Sequence, residues 1–310
     1  MPSLKSHLVA LYLRHTRKRA FASPASLNEW IARARLTQSH RPPAAIAARL
    51  DIGERSVEGR PVYEITPCGK PARGRLVYLH GGAYCFEITS YHWGLIAELA
   101  ERLAVQVTVP IYPLAPEHGY DDIFDFAMAV YAEVIAATPA AEVAVVGDSA
   151  GGNMAVVLEM MAAARDLPLP ARQVLISPSL DMTLELDAAL ERRDPWLGIP
   201  GGLEAVRLYA GDMDHADWRI SPAHGDLSVM PPTLILAGGR DLLTPGTTQF
   251  AARAKAAGAD VMLAIEPHMF HVWPLIDMPE ARAARDRIVA YLAKWRDGLT
   301  EARPPTEAFS

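Results

Sequence analysis

Residues 142–161 read EVAVVGDSAGGNMAVVLEMM: an apolar run of strand length, the turn GDSAGGN at Gly147–Asn153, then a small-residue run of helical length. Strand, sharp turn and helix is the order that displays a serine hydroxyl at the edge of a sheet, and the G-x-S-x-G spacing puts Ser149 in that turn. The flanking glycines leave room for a strained bend and for close strand–helix packing. Composition alone would produce the five-residue pattern in about one chain in ten of this length, and a serine there is equally a plain helix cap. Whether Ser149 is a nucleophile therefore rests on what else the chain supplies.

Outward from this stretch the same texture repeats. ERSVEG (54–59), PVYEIT (61–66), GRLVYLH (74–80), VQVTVP (105–110), RQVLISP (172–178), PTLILAG (232–238) and VMLAIEP (261–267) are short strand-like runs. Between them lie helical periodicities: Leu95, Leu99 and Leu103; Ile123, Phe126, Val130 and Val134 behind Asp121 and Asp122; an alanine-rich segment at 247–257; and a closing helix over 279–295. Continuous Val/Ile/Leu strands separated by helices predict an α/β fold, with a mostly parallel sheet covered on both faces.

A serine hydroxyl needs a neighbouring base, and the oxyanion it generates needs preorganised N–H donors. In such a sheet the loops after parallel strands open on one edge. One of these loops begins His80-Gly81-Gly82, free of bulky side chains, so the N–H groups of Gly81, Gly82 and Ala150 are the expected oxyanion donors. Another, GGRDLLTPG, puts Asp241 after its strand; a third, EPHMFHVWP, offers His268 and His271. Arg240 supplies no carboxylate, and Asp260 precedes its strand, at the wrong end. Ser149, Asp241 and His271 are thus expected to converge.

The bulk composition sets limits. A chain of 310 residues, 50% hydrophobic and 21% charged, builds one large core with attachments. Its net charge of −6 argues against a nucleic-acid partner. Cys68 and Cys85 form no zinc-type or disulfide pattern, which points to a reducing, cytoplasmic setting and to neither a metal nor another cofactor. No apolar stretch reaches spanning length, so no integral membrane association is expected, and the N-terminus is a poor signal peptide.

Leu4, Leu8 and Leu11 recur at helical spacing behind Ser3, and a second segment opens with Pro24 and a capping box of Ser26 and Glu29 before Trp30 and Ile31. Residues 1–50 are read as two or so amphipathic helices. The cluster Arg14, Arg17, Lys18 and Arg19 is read as a solvated helix face, with a membrane-surface or anion patch as the alternative. Residues 181–221 are too long for a crossover and carry Trp196, Leu197, Ile199, Leu203, Tyr209, Met213 and Trp218, so they are expected to lie over the sheet's loop edge as a lid. The tail 301–310 is expected to be loose.

From about Arg73 to Trp295 the chain resembles the hormone-sensitive-lipase-like family of α/β-hydrolases, a group of bacterial carboxylesterases. The resemblance rests on HGGAY, YPLAPEH, GDSAGGN, Asp194-Pro195, GGRDLLTP and MFHVWP, in that order. It implies an eight-stranded α/β-hydrolase core over 51–310, with 181–221 as a cap insertion, a helical cap over 1–50, Ser149 as nucleophile, His271 as base and Asp241 as its orienting acid. Two departures stand out: Ala83 replaces a third glycine, and neither Met269 nor Val272 is the glycine usual beside the histidine. His80 and His118 are read as loop-holding residues. Relatives often dimerise through the last strand and helix, so Ile288, Tyr291, Leu292 and Trp295 are candidates for a homodimer contact.

The expected activity is hydrolysis of a small apolar ester of short to medium acyl chain, in a pocket lined by Tyr84, Phe86, Trp196, Leu197, Ile199 and Tyr209. Lactone or aryl-amide hydrolysis uses the same machinery and remains an alternative, as does a non-catalytic small-molecule binding protein on the same fold. Long-chain triglyceride is disfavoured because no segment reads as an interfacial surface. Cys85 is expected to be a small buried hydrophobe rather than a redox sensor.

Overall fold

A computed structural model describes residues 2–184 and 187–301. The eight strand-like runs form one sheet: β1 (Leu50–Val57), β2 (Arg60–Pro67), β3 (Arg75–Leu79), β4 (Gln106–Pro110), β5 (Val143–Asp148), β6 (Arg172–Ile176), β7 (Thr233–Gly238) and β8 (Val261–Glu266). They lie in the order β1-β2-β4-β3-β5-β6-β7-β8. β2 runs antiparallel to both β1 and β4, and every other neighbouring pair is parallel.

Alternate residues of the central strands feed two cores. Val77, Val145, Leu175 and Ile235 pack on one face; Leu76, Val146, Val174 and Leu234 pack on the other. This is the period-2 geometry of a strand buried on both sides, and it explains why these strands are apolar throughout.

The helices follow in chain order: α1 (Leu4–His15), α2 (Arg17–Ala20), α3 (Pro24–Thr37), α4 (Ala44–Ala47), α5 (Ser90–Leu103), α6 (Tyr120–Ala137), α7 (Ala150–Ala164), α8 (Ala188–Arg193), α9 (Ile199–Ala210), α10 (Thr244–Ala256) and α11 (Pro279–Glu301). Helices α6, α7 and α10 cover the first face, α5 and α11 the second. The expected periodic residues Ile123, Phe126, Val130 and Val134 are all buried.

The N-terminal reading needs correction at three points. Leu4, Leu8 and Leu11 are 77%, 58% and 55% exposed, and α1 instead turns Ser6, Ala10 and Leu13 inward. Polar anchors fix this face: Ser3 Oγ donates to Glu280 at 2.9 Å and Lys5 pairs with Asp277 at 2.8 Å. The cap of α3 is Ser23, not Ser26; Ser23 Oγ accepts from Ser26 N–H at 3.1 Å, with Pro24 at the first helical position. The basic cluster is not simply a solvated face either. Arg14 donates to the Arg192 carbonyl at 3.0 Å, and the half-buried Lys18 donates to the carbonyls of Glu191 and Leu197.

Helix α9 lies against the turn between α2 and α3 so closely that a side chain at Gly201 would meet Phe21 Cα at 2.4 Å. Gly201 N–H donates to Phe21 O, and Asn28 reaches Glu204 at 2.8 Å. On α11, Ile288, Tyr291, Leu292 and Trp295 are all buried within the chain, which removes them as a dimer surface. Apart from Glu301, the last residue of α11, the tail 301–310 lies outside the described residues, as do Glu185 and Leu186 of the 181–221 segment.

Candidate active site

Ser149 sits between β5 and α7 with φ 52° and ψ −118°, a backbone conformation that disfavours any side chain. Its N–H donates to Ile176 O at 2.9 Å, which fastens the turn to β6. The two glycines of the motif are required by contact: a Cβ at Gly147 would lie 2.3 Å from Gly151 O, and one at Gly151 would lie 2.0 Å from Leu79 O. Strand and helix can approach this closely only without those side chains.

Around this hydroxyl the loops after β7 and β8 converge. Ser149 Oγ is 2.9 Å from His271 Nε2, and His271 Nδ1 is 3.0 Å from Asp241 Oδ2. An ionised Asp241 accepts, so Nδ1 carries the proton and Nε2 is left to accept from the serine. Burial disfavours the charged imidazole, but the Asp241 carboxylate and its hydrogen bond, with Asp194 and Asp148 nearby, outweigh it and raise the His271 pKa. The loop is held by Ser177 Oγ, which accepts Val272 N–H at 3.0 Å. Val272 has φ 45°, the left-handed region where glycine is at ease. His268 is exposed.

Asp194 completes the cluster. It is fully buried; Oδ1 accepts the N–H groups of Trp196 and Leu197, and Oδ2 that of Leu242. Burial, with Asp241 close by, pushes its pKa up to about 6.

Of the three expected oxyanion donors, Gly82 and Ala150 line the cavity in front of Ser149; Gly81 does not, whereas Ala83 does. Gly81 is packed against the Asp148 carboxylate: a Cβ there would lie 2.3 Å from Asp148 Oδ2. Asp148 also takes the Tyr78 hydroxyl at 2.9 Å and faces His92 at 3.2 Å. Burial alone would raise its pKa, but the His92 imidazole and these hydrogen bonds hold it below the usual carboxylate value. Ala83 adopts φ 55°.

Tyr84, Phe86, Trp196, Leu197, Ile199 and Tyr209 all line the cavity, joined by Phe21 and Trp30 from the N-terminal helices. Asn153 ties wall to floor: it accepts the Tyr84 hydroxyl at 2.7 Å and donates to Ser179 O and Ile220 O. His80 stacks on Tyr112, and burial pushes its pKa down to about 3, so it is neutral. His118 faces Asp122 at 3.1 Å on the surface. The Cys85 thiol is buried and pushed up to about 12 by burial, which leaves no thiolate at neutral pH. Among the described residues no group of His, Cys, Asp and Glu is arranged to hold a metal ion.

Sequence reasoning did not find the roles of Ser177, Asp148 or Asn153, and it marked Asp194 only as a landmark. The available signal was polarity at positions flanked by strand and turn residues, which does not by itself say what the side chain meets.

Comparison with known proteins agrees with this architecture. The sequence profile of the alpha/beta hydrolase fold family matches residues 76–275. An esterase of Acinetobacter venetianus is 31% identical over 221 residues, covering 67% of this chain and 71% of the relative. A carboxylesterase of Mycobacterium tuberculosis is 30% identical over 285 residues, covering 85% of this chain and 88% of the relative. The crystal structure of an esterase from the bacterial hormone-sensitive lipase family superposes with a TM-score of 0.82 at 26% identity, covering 95% of this chain and 99% of that one. The chain belongs to the α/β-hydrolase fold family, in its hormone-sensitive-lipase-like group.

Proposed function

We propose that the protein is a serine carboxylesterase that hydrolyses esters of short to medium acyl chain through an acyl-enzyme on Ser149. The observation that carries this reading is the relay Ser149–His271–Asp241, with contacts of 2.9 and 3.0 Å, at the floor of an apolar cavity. The relatives' esterase names support it.

Ser149 Oγ attacks the ester carbonyl carbon as His271 Nε2 takes its proton. The carbonyl π electrons move to oxygen, and the oxyanion meets N–H groups of Gly82, Ala83 and Ala150 in front of the positive end of α7. Gly81, packed against Asp148 and outside the cavity lining, serves as a structural support in this reading. Collapse expels the alkoxide, which takes the proton from His271. Water then gives a proton to His271 and attacks the acyl carbon, and collapse returns Ser149 as its hydroxyl. Asp241 holds the tautomer and stabilises the imidazolium. The chemistry uses only side chains and backbone of this chain.

Helices α1 to α3 and the 181–221 segment form the cap in this reading, supported by the Phe21–Gly201 and Asn28–Glu204 contacts. The homodimer contact is assigned to the open edge of β8, where Met262 and Ile265 are 50% and 42% exposed; light scattering tests it. Two unpaired thiols are consistent with a cytoplasmic setting. Among the described residues no helix is long and apolar enough to cross a membrane.

A panel of p-nitrophenyl esters of rising chain length tests the activity, alongside Ser149→Ala and labelling by a fluorophosphonate. The expected outcome is a maximum at short to medium chains, loss of roughly 10⁴-fold or more in Ser149→Ala, and an adduct on Ser149. Turnover of lactones or aryl amides in place of esters would move the assignment to that bond; no adduct on Ser149 would leave only the binding reading.

A further inference from the structure

The outward side of α1 presents four large apolar residues that the fold leaves in water. Leu4, Leu8, Leu11 and Tyr12 are 77%, 58%, 55% and 63% exposed. Their spacing of four, three and one places them on one stripe, opposite the Ser6, Ala10 and Leu13 face that docks on the body. Exposure of a contiguous leucine stripe marks a surface that meets something apolar.

What it meets is indicated by charge. Beside the stripe, Arg14 donates to Arg192 O and Lys18 to Glu191 O, which sets the segment that carries Arg14, Arg17 and Arg19 against the end of α8, which carries Arg192 and Arg193. Other cations of the N-terminal helices are neutralised: Lys5 by Asp277, Arg33 by Glu29 and Arg35 by Glu117. Among the described residues these five arginines have no carboxylate within salt-bridge distance. The chain as a whole carries −6, so the cationic patch is a local feature of this one face.

We infer that this face seats the protein on an anionic phospholipid surface, with the leucine stripe in the headgroup–acyl boundary and the arginines on lipid phosphates. A second copy of the chain fits less well, because a twofold contact through this face would set arginines against arginines. The helix that follows the stripe, α2, and the turn after it supply Arg17, Ala20 and Phe21 to the cavity lining. On the ester-hydrolase reading above, on which this purpose rests, a seated molecule would draw on esters dissolved in the lipid. The surface is peripheral: α1 is only 12 residues long, too short to span.

The test is sedimentation of the full chain, as Ser149→Ala so that binding is read without turnover, with phosphatidylcholine vesicles with and without phosphatidylglycerol. Expected are retention on the anionic vesicles and release at high salt. In the same background Leu8→Glu/Leu11→Glu should weaken partition about tenfold or more, and Arg19→Glu/Arg192→Glu should weaken it about tenfold or more. In chains with Ser149 intact, both surface variants should hydrolyse soluble p-nitrophenyl acetate at the parent rate, which shows that they fold. Failure to bind any vesicle, or binding that neither pair changes, overturns the inference while leaving the esterase reading intact. A dimer in solution that Leu8→Glu/Leu11→Glu dissociates, with no vesicle binding, assigns the stripe to a second copy and also overturns it. Vesicle binding in a chain without esterase activity would keep the surface and remove the esterase.

Discussion

Asp194 is bonded to the residue that follows Asp241: its Oδ2 accepts Leu242 N–H at 2.8 Å, while its Oδ1 takes the N–H groups of Trp196 and Leu197. One buried carboxylate thus links the cavity wall to the acid loop and adds negative potential at His271. Because the His271 pKa is raised, the neutral form that would accept the Ser149 proton on the esterase reading fills only above the ordinary histidine value of about 6.5. The acid limb of kcat/KM should therefore have its midpoint above that value. Asp194→Asn should move the limb toward lower pH, and it should lower stability by about 1–3 kcal/mol because one N–H loses its acceptor. A titration of kcat/KM beside thermal melts checks both; a limb unmoved by the substitution would show that Asp194 acts on packing alone.

The same raised pKa has an opposite effect on stability. A histidine more basic when folded stabilises the folded state fully below its unfolded pKa and loses that contribution as pH rises through its folded value. Activity and the His271 share of stability should thus run in opposite directions across neutral pH, and melts of the parent against His271→Gln would reveal it.

At Gly151 the closest obstacle to a side chain is the Leu79 carbonyl, a backbone atom that cannot move aside. Gly151→Ala should destabilise the chain by about 3 kcal/mol. Gly94, also helical, has nothing within 4 Å of an added Cβ, so Gly94→Ala should instead stabilise by about 0.5–1 kcal/mol. Denaturant unfolding of the two variants, taken together, tests whether contact or helix propensity governs each site.

Gly201→Val should separate α9 from the Phe21 turn, where the added Cβ would come within 2.4 Å of backbone. The sheet and relay do not depend on that contact. The expected result is a KM raised several-fold with kcat less affected, together with faster proteolysis in residues 16–24; an equal fall in kcat would mean that the wall also positions the reacting groups.

Ala83 holds φ 55° in the loop that faces the candidate nucleophile. Glycine is unstrained there, and relief outweighs its extra freedom in the unfolded chain, so Ala83→Gly should stabilise by about 0.5 kcal/mol. Chemical denaturation gives the sign.

Much of this arrangement could be read from the residues because it follows from short-range rules. Central strands buried on both faces must be apolar, so β3 to β7 were visible as Val/Ile/Leu-rich runs, whereas the mostly exposed edge strand β1 showed only as a short run bounded by glycine; parallel connections put Ser149, Asp241 and His271 on one edge. What could not be read depended on contacts between distant segments. Periodicity showed that α1 has a leucine stripe but not that Ser3 and Lys5 anchor it with the stripe facing out. The apolar residues of α11 looked like a contact surface and are core, since a helix hydrophobic on one side has the same pattern whether its cover is the sheet or another chain. Gly81 and Gly82 were equal candidates by sequence, and only the folded loop distinguishes Gly82, which lines the cavity, from Gly81, which packs against Asp148.

The proposed reacting groups follow β5, β7 and β8, whereas much of the chamber around them comes from helices that meet through Phe21 and Gly201. Two inheritable parts are therefore separable: substitutions along α3 and α9 can reshape which molecules enter without disturbing the hydrogen bonds that move the proton. Such a division lets a lineage drift from one ester to another while its turnover chemistry stays the same.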